Sequence, residues 1–388
     1  MMRAGRTLPD GRCEGRHMQR IPWIDPLRGV AAGLVLVSHV AYWSGGSSID
    51  GVGRLLARGD VGVAVFFAIS AYLLTRGASA GAAPTRHYWR KRAARILPAY
   101  LVALAAVVVV TLAVEPGAVD VRSVLSHLTL LQGYAGESFR GFTQAWSITT
   151  EVTFYALVPL ICRWLRGCRR DGRSPLPVLM FVAVAGLVVQ TLAASSGRAN
   201  LGAVSTSVIG HAAWFAVGVA AGWVFTADPT TGGSGRRARM GLAVREASPS
   251  ALLGWAGVTY VAVATPLGGP IHLETPTHGQ ALVKELAYAL IAALLLGAAV
   301  RASEDETWPT RAEAQALLSG AGDVSYGLFL WHVLVLQVLF TTLHLRLFHA
   351  PFALVLIVTL VVSLALARLS WRVVEAPAIR WAHCLPRG

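Results

Sequence analysis

Residues 97–114 read LPAYLVALAAVVVVTLAV, a run without a charged side chain. The hydrocarbon core of a bilayer is about 30 Å thick, so a helix that crosses it needs roughly 17 to 25 such residues. The basic cluster RKRAAR at 90–95 stands directly before the run, as expected at the cytoplasmic end of a transmembrane helix. This stretch therefore predicts an integral membrane protein.

Similar apolar runs recur along the chain. The protein has 388 residues, 55% of them hydrophobic and 14% charged, which leaves too few polar groups to cover a soluble surface of this size. We predict an all-α polytopic protein with about ten transmembrane helices, of which the first, second and seventh are short or interrupted by polar residues. The predicted spans are 28–44, 60–76, 97–114, 145–165, 175–195, 205–226, 251–266, 281–300, 318–343 and 351–370.

The net charge of +14 is spread over alternate connections instead of one patch. This distribution follows the positive-inside rule, so it argues against a nucleic-acid partner and places both termini in the cytoplasm. We predict a multi-pass protein of the plasma membrane, surrounded by the lipid bilayer. Its expected parts are a disordered basic arm at 1–22, one membrane domain at 23–381 and a short cytoplasmic tail at 382–388.

An ionisable side chain inside a span is a functional candidate, because it costs at least ~2.5 kcal/mol at the helix centre. His39 follows Arg28 in the first span at a separation of roughly 16 Å along a helix, which places it near the middle of the bilayer. An imidazole at that depth can act as a general base near neutral pH. The alternative is a histidine that bonds a neighbouring helix and only stabilises packing.

The fourth span contains Glu151, which shares a helix face with Ser147 and Tyr155 at i−4 and i+4. We predict that Glu151 assists the imidazole of His39, and that Ser147, Tyr155 and the preceding Trp146 contact the substrate. The alternative for Glu151 is a pairing with an arginine or lysine that serves assembly alone.

Further polar positions lie in the last two spans. Tyr326 and His332 are predicted near mid-depth of the ninth span and are candidates for substrate binding, with a purely structural role as the alternative. Glu375 stands at the cytoplasmic end of the tenth span, where it is expected to pair with a basic residue and hold the helix ends together.

Two arginines run into the third span on one helix face, Arg92 and Arg95, shortly after the aromatic pair Tyr88-Trp89. A guanidinium binds phosphate in a bidentate manner and stacks on aromatic rings. Arg92, Arg95 and Arg28 are therefore candidates for binding a phosphate-rich nucleotide such as coenzyme A. The alternative is a plain positive anchor at the membrane surface.

Six segments in this order resemble the acyltransferase-3 family of bacterial membrane-bound O-acyltransferases. They are 24–29 with His39, 59–75, 92–98, 146–155 with Pro159, 325–332 and 375–377. Ala71 departs from the pattern, since the family has glycine at that step of the second span.

The resemblance implies an acyl-CoA donor, with acetyl or another short acyl group, and a hydroxyl acceptor on a carbohydrate, macrolide or related metabolite. It also implies a functional pair of Arg28 and His39 and importance for Arg95 and Glu151. No metal and no permanently bound cofactor is expected. Transfer is expected to be direct, with an acyl intermediate on His39 or Ser147 as the variant. A proton-coupled transporter or exporter is the alternative function.

Overall fold

The computed structural model describes residues 21–79, 88–136, 138–197, 201–226, 246–271, 274–305, 308 and 320–384. These residues form helices and turns without a β-strand, which confirms the predicted all-α class. The main helices follow the predicted spans in order. They are α1 Ile24–Ser44, α2 Val61–Ser79, α3 Tyr88–Val114, α4 Trp146–Arg170, α5 Leu176–Ser195, α6 Ala212–Thr226, α7 Pro249–Ala264, α8 His278–Glu304, α9 Ala321–Thr342, α10 Phe352–Ser370 and the short α11 Ala376–Cys384.

Eight helices in the described part of the chain are long and apolar enough to cross a bilayer, and α6 and α7 are shorter. Of the three spans that were predicted to be short or interrupted, the seventh is short, since α7 has 16 residues. The first and second correspond to the continuous helices α1 and α2, of 21 and 19 residues. The sixth span was predicted to begin near 205 but begins at Ala212. The reason is a turn before α6, in which the Ser207 hydroxyl accepts hydrogen bonds from the backbone N–H groups of Ile209 and Gly210.

The central helix is α2, which packs against α1, α4, α6 and α8. Its approach to α6 is very close because Gly218 and Gly222 lie one turn apart on the facing side. A Cβ atom added to Gly218 would overlap the carbonyl oxygen of Ala68. Small residues at this spacing let two membrane helices bring their backbones together. The contact between α2 and α6 therefore determines the position of one wall of the candidate active site described below.

We expect Gly218→Ala to lower the thermal midpoint of the detergent-purified protein by several degrees, because a methyl group forced into this contact costs about 1–3 kcal/mol. The matched control is Gly257→Ala in α7, where an added Cβ meets no atom within 4 Å. Thermal unfolding followed by size-exclusion recovery measures both. Equal midpoints for the two variants would contradict the close approach of α2 and α6.

A single π-helical turn, Trp371–Glu375, joins α10 to α11. Such turns interrupt the regular hydrogen-bond ladder and are frequent at functional sites. This one buries Glu375, whose carboxylate accepts from the Ser370 hydroxyl at 3.1 Å. Arg95 is the basic residue that attracts the charge of the Glu375 carboxylate, over a longer range than a hydrogen bond. The Arg95 guanidinium itself lies 5.8 Å from the centroid of the Trp371 ring.

The predicted arm at 1–22 and tail at 382–388 fall largely outside the described residues. The disorder of the arm and the cytoplasmic placement of both segments therefore stay predictions, as does the extent of the membrane domain, 23–381.

Candidate active site

The histidines of α1 and α9 form a pair inside the helix bundle. His332 Nε2 lies 3.4 Å from His39 Nδ1, and the two rings meet edge to face with 5.0 Å between their centroids. His332 is fully buried, and His39 is partly exposed. His332 was predicted to contact the substrate; the structure places it behind His39.

Backbone carbonyls determine which nitrogen of each ring carries the proton. His332 Nδ1 lies 3.1 Å from the oxygen of Leu328, and His39 Nδ1 lies 2.9 Å from the oxygen of Val35. Since a carbonyl oxygen only accepts, both Nδ1 atoms carry the proton in the neutral rings, and His332 Nε2 accepts from His39 Nδ1. The remaining nitrogen, His39 Nε2, then holds a lone pair and can accept a proton.

His39 faces a cavity of about 280 Å³, which we call the histidine cavity. This volume is near the lower end of ligand pockets in proteins. Its walls combine carboxylates, amides and aromatic rings, a polar composition for a site between membrane helices. The described lining residues are Val35, His39, Asp60, Val63, Gln144, Trp146, Gln190, Ser205, Thr206, His211, Trp214, Lys284, Glu285, Tyr288 and Phe329.

A second cavity of about 70 Å³, the arginine cavity, is lined by Arg28, Arg92 and Arg95. The carboxylate of Glu151 lines it too, so these four groups carry three positive charges and one negative charge. The structure thus brings together all three arginines that were predicted to bind the nucleotide. An excess of positive charge at this place suits an anionic ligand.

Two hydroxyl groups hold the carboxylate of Glu151. Ser70 Oγ and Tyr155 OH donate to Glu151 Oε1 at 2.8 and 2.6 Å. The sequence predicted that Glu151 assists His39, but both of these hydrogen bonds lie at the arginine cavity. There the carboxylate balances part of the arginine charge, including that of Arg28.

Aromatic rings orient two of the arginines. The guanidinium of Arg92 lies 5.9 Å from the centroid of the Tyr155 ring, and that of Arg95 lies 5.8 Å from the Trp371 ring. A cation is attracted to the face of an aromatic ring, so these contacts hold the groups without using their N–H donors. Arg92 Nε is buried and has no hydrogen-bond partner in the described part of the chain. Donors therefore remain for a ligand.

The two cavities lie one after the other along the same helices. On α1, Arg28 lines the arginine cavity and His39 the histidine cavity, and α2 and α9 are divided in the same way. Phe66 lines the arginine cavity and Phe329 the histidine cavity, and their rings meet edge to face with 5.9 Å between the centroids. This aromatic pair separates the arginines from the histidine.

The remaining predicted substrate residues are divided between the cavities. Trp146 lines the histidine cavity and Tyr326 the arginine cavity, where the Tyr326 hydroxyl donates to the oxygen of Ile96 at 3.2 Å. Ser147 is not among the described residues that line either cavity. Its hydroxyl donates a hydrogen bond to the backbone oxygen of Gln144 at 3.1 Å.

Sequence reasoning missed four residues of these cavities. His211 interrupts an apolar stretch, so the rule for ionisable side chains that singled out His39 would have found it. Gln190 also interrupts an apolar stretch, but it is not ionisable and that rule passes over it. Glu285 stands close to the end of its predicted span, where an acidic residue is expected to belong to the neighbouring loop. Ser70 belongs to the second-span motif but carried no assigned role.

A candidate proton acceptor lies on one side of the aromatic pair and a cationic cavity on the other, an arrangement that suits group transfer within the membrane. A family model described as an acyltransferase domain matches residues 21–368. The chain belongs to the acyltransferase-3 family and is a multi-pass membrane acyltransferase that transfers groups other than aminoacyl groups.

Two characterised proteins are similar to this chain. Nodulation protein 10 of Rhizobium leguminosarum bv. viciae is 27% identical over 384 residues, which cover 92% of each chain. Acyltransferase MdmB of Streptomyces mycarofaciens is 31% identical over 157 residues, which cover 38% of this chain and 40% of that protein. No solved structure matches the chain.

Proposed function

We propose that this protein moves a short acyl group from acyl-CoA to a hydroxyl group of a carbohydrate, macrolide or related metabolite. The observation that carries the proposal is that His39, whose Nε2 is free, lines the histidine cavity, while three arginines line a cavity on the other side of the Phe66–Phe329 pair. Family membership supplies acyl transfer, and the cavities suggest where each substrate binds.

The arginine cavity supports the choice of donor. Coenzyme A carries several phosphate charges, and a guanidinium is the side chain that best matches phosphate. Arg92 and Arg95 begin α3 at the end that the charge pattern predicts to be cytoplasmic, where acyl-CoA is found. The cavity is too small for a whole nucleotide, so the phosphates are expected at its mouth and the acylated arm within it.

The histidine cavity supports the choice of acceptor. His39 Nε2 takes the proton from the acceptor hydroxyl as its oxygen attacks the thioester carbonyl. The carbon–sulfur bond then breaks, an ester forms, and the departing thiolate takes up a proton to leave as free coenzyme A. His332, which accepts from His39 Nδ1, stabilises the ring orientation that this step requires.

The direct test is incubation of the detergent-purified protein with acetyl-CoA and a panel of glycan and macrolide hydroxyl compounds. Free thiol and product mass are followed together. Thiol release that requires an acceptor and yields an acetyl ester supports the proposal. Tight binding of a panel compound without thiol release from acetyl-CoA or from a longer acyl-CoA would instead favour a carrier.

Removal of one arginine should weaken donor binding selectively. We expect Arg92→Gln to raise the KM for acetyl-CoA about 10- to 100-fold, because a hydrogen bond to a charged group is worth about 1.5–3 kcal/mol. The KM for an N-acetylcysteamine thioester, which lacks the nucleotide, should stay as in the wild type. Arg170→Gln is the control, since that side chain is 85% exposed. An equal rise for both donors would show that Arg92 does not bind phosphate.

A further inference from the structure

The histidine cavity contains buried polar atoms without partners. Gln144 Oε1, Gln190 Oε1, His211 Nδ1 and Glu285 Oε2 have no hydrogen bond in the described part of the chain. The four residues are at most 6% exposed, and all of them line the cavity. Buried polar groups are nearly always paired, and each one left unpaired costs about 1–3 kcal/mol. This cluster indicates a site built for a polar occupant.

The unpartnered atoms are mainly hydrogen-bond acceptors. The amide of Gln144 is fixed in orientation, because its Nε2 donates to the backbone oxygens of Phe329 and Leu330 at 3.2 and 2.9 Å. The side-chain oxygen of Gln144 is therefore left to accept a hydrogen bond from an occupant of the cavity, as are the side-chain oxygen of Gln190 and the carboxylate of Glu285. An occupant of this cavity must bring N–H or O–H donors.

The charge of the cavity is also unbalanced. Lys284 Nζ lies 2.8 Å from Asp60 Oδ2, so these two charges neutralise each other. Glu285 has one ionisable neighbour in the described residues, His211, whose Nδ1 lies 3.7 Å from Glu285 Oε2. With a neutral imidazole the cavity keeps one negative charge, and a buried charge without a partner is strongly destabilising.

Aromatic rings surround the same place. The ring of Trp214 stacks on His211 at 4.1 Å, and Trp146 lies 5.3 Å from His211 on the wall of the cavity. Carboxylates and aromatic faces together are the usual surroundings of a bound ammonium group. The arginine cavity has the opposite composition, with positive charge in excess.

On the basis of the proposed function, we propose that the acceptor carries a protonated amine, which Glu285 binds while a neighbouring hydroxyl of the same molecule faces His39. A primary ammonium group donates to Glu285 Oε2 and to the amide oxygens that lack partners, whereas a dimethylammonium group, with one N–H, donates to Glu285 Oε2. A protonated amine has no lone pair and is not a nucleophile, so this salt bridge directs the acyl group to the hydroxyl. Amino sugars and macrolides with an amino sugar have this chemistry.

Binding without a donor tests the inference independently of catalysis. The full-length wild type in detergent is titrated calorimetrically, without acyl-CoA, with two matched pairs of compounds. One pair is the methyl glycosides of glucosamine and N-acetylglucosamine. The other is a macrolide that bears a dimethylamino sugar and its uncharged N-oxide. We expect the amine of at least one pair to bind about tenfold or more tightly than its uncharged partner, as for a buried charge pair.

Two variants complete the test. Glu285→Gln should reduce the preference to about twofold or less by removing the charge. Glu274→Gln, which changes an exposed acid, should leave the preference unchanged. A preference that survives Glu285→Gln, equal binding within both pairs, or no binding of either amine at about 10 mM, a free energy near −3 kcal/mol, would overturn the inference. Equal binding is also the result expected if a protonated His211 already neutralises Glu285.

The outcomes separate this inference from the proposed function. Selective amine binding without thiol release from acetyl-CoA would keep the amine site and reject the acyl transfer from this donor. Thiol release that requires an uncharged acceptor and is insensitive to Glu285→Gln would keep the acyl transfer and reject the amine site.

Discussion

Replacement of His39 by alanine is expected to lower acceptor-dependent turnover by about 10²- to 10⁴-fold, the usual contribution of a general base. The physical reason is that Nε2 is the nitrogen of the His39 ring that is free to accept a proton, and that His39 lines the histidine cavity. Turnover is measured as thiol release together with ester mass at saturating donor and acceptor. The KM for acetyl-CoA should change little, because the arginine cavity remains intact.

Two controls make the His39→Ala result specific. His278→Ala changes an exposed histidine at the start of α8 and should keep wild-type turnover. Added imidazole should restore part of the activity of His39→Ala, because the deletion leaves room for the missing base. A folded His39→Ala protein with full turnover would exclude His39 as the base.

Substitution of His332 should lower turnover without weakening donor binding. His332→Phe keeps the ring volume but removes one of the two acceptors at His39 Nδ1 and leaves the oxygen of Val35, so we expect kcat to fall about 10- to 100-fold, as for residues that orient a metal-ligating histidine. His332→Gln can place an amide oxygen near the former Nε2 and should recover most of this loss. Steady-state kinetics with acetyl-CoA separate kcat from KM.

The contrast between the two His332 variants distinguishes positioning from packing. If His332 merely fills space, phenylalanine is the better substitute and glutamine the worse one. A higher kcat for His332→Phe than for His332→Gln would therefore contradict the positioning role.

Much of the fold could be predicted because a bilayer demands long apolar helices and leaves few alternatives. The spans and the all-α class follow from the apolar runs along the chain, whereas the cavity that Arg28 shares with Arg92 and Arg95 is seen in the structure alone. The late start of α6 could not be predicted, because it depends on the local turn at Ser207.

The division of the site into two cavities was not predictable from spacing alone. Glu151 and His39 both lie inside spans, and a sequence gives no distance between two helices. The structure shows that Ser70 of α2 holds Glu151, and that His332 of α9 supports His39. Both partners belong to quoted motifs, but the pairing depends on how α1, α2, α4 and α9 pack.

The Phe66–Phe329 contact has a consequence for the cell as well as for the reaction. If the donor and the acceptor enter from opposite faces of the membrane, the two cavities would form a polar channel when joined, and ions would then leak down the electrochemical gradient. The edge-to-face rings close that path with hydrocarbon. A small acyl group on a flexible arm can displace two side chains briefly, whereas a hydrated ion must first lose its water. In that case the aromatic pair would let the acyl group pass between the cavities while ions are excluded.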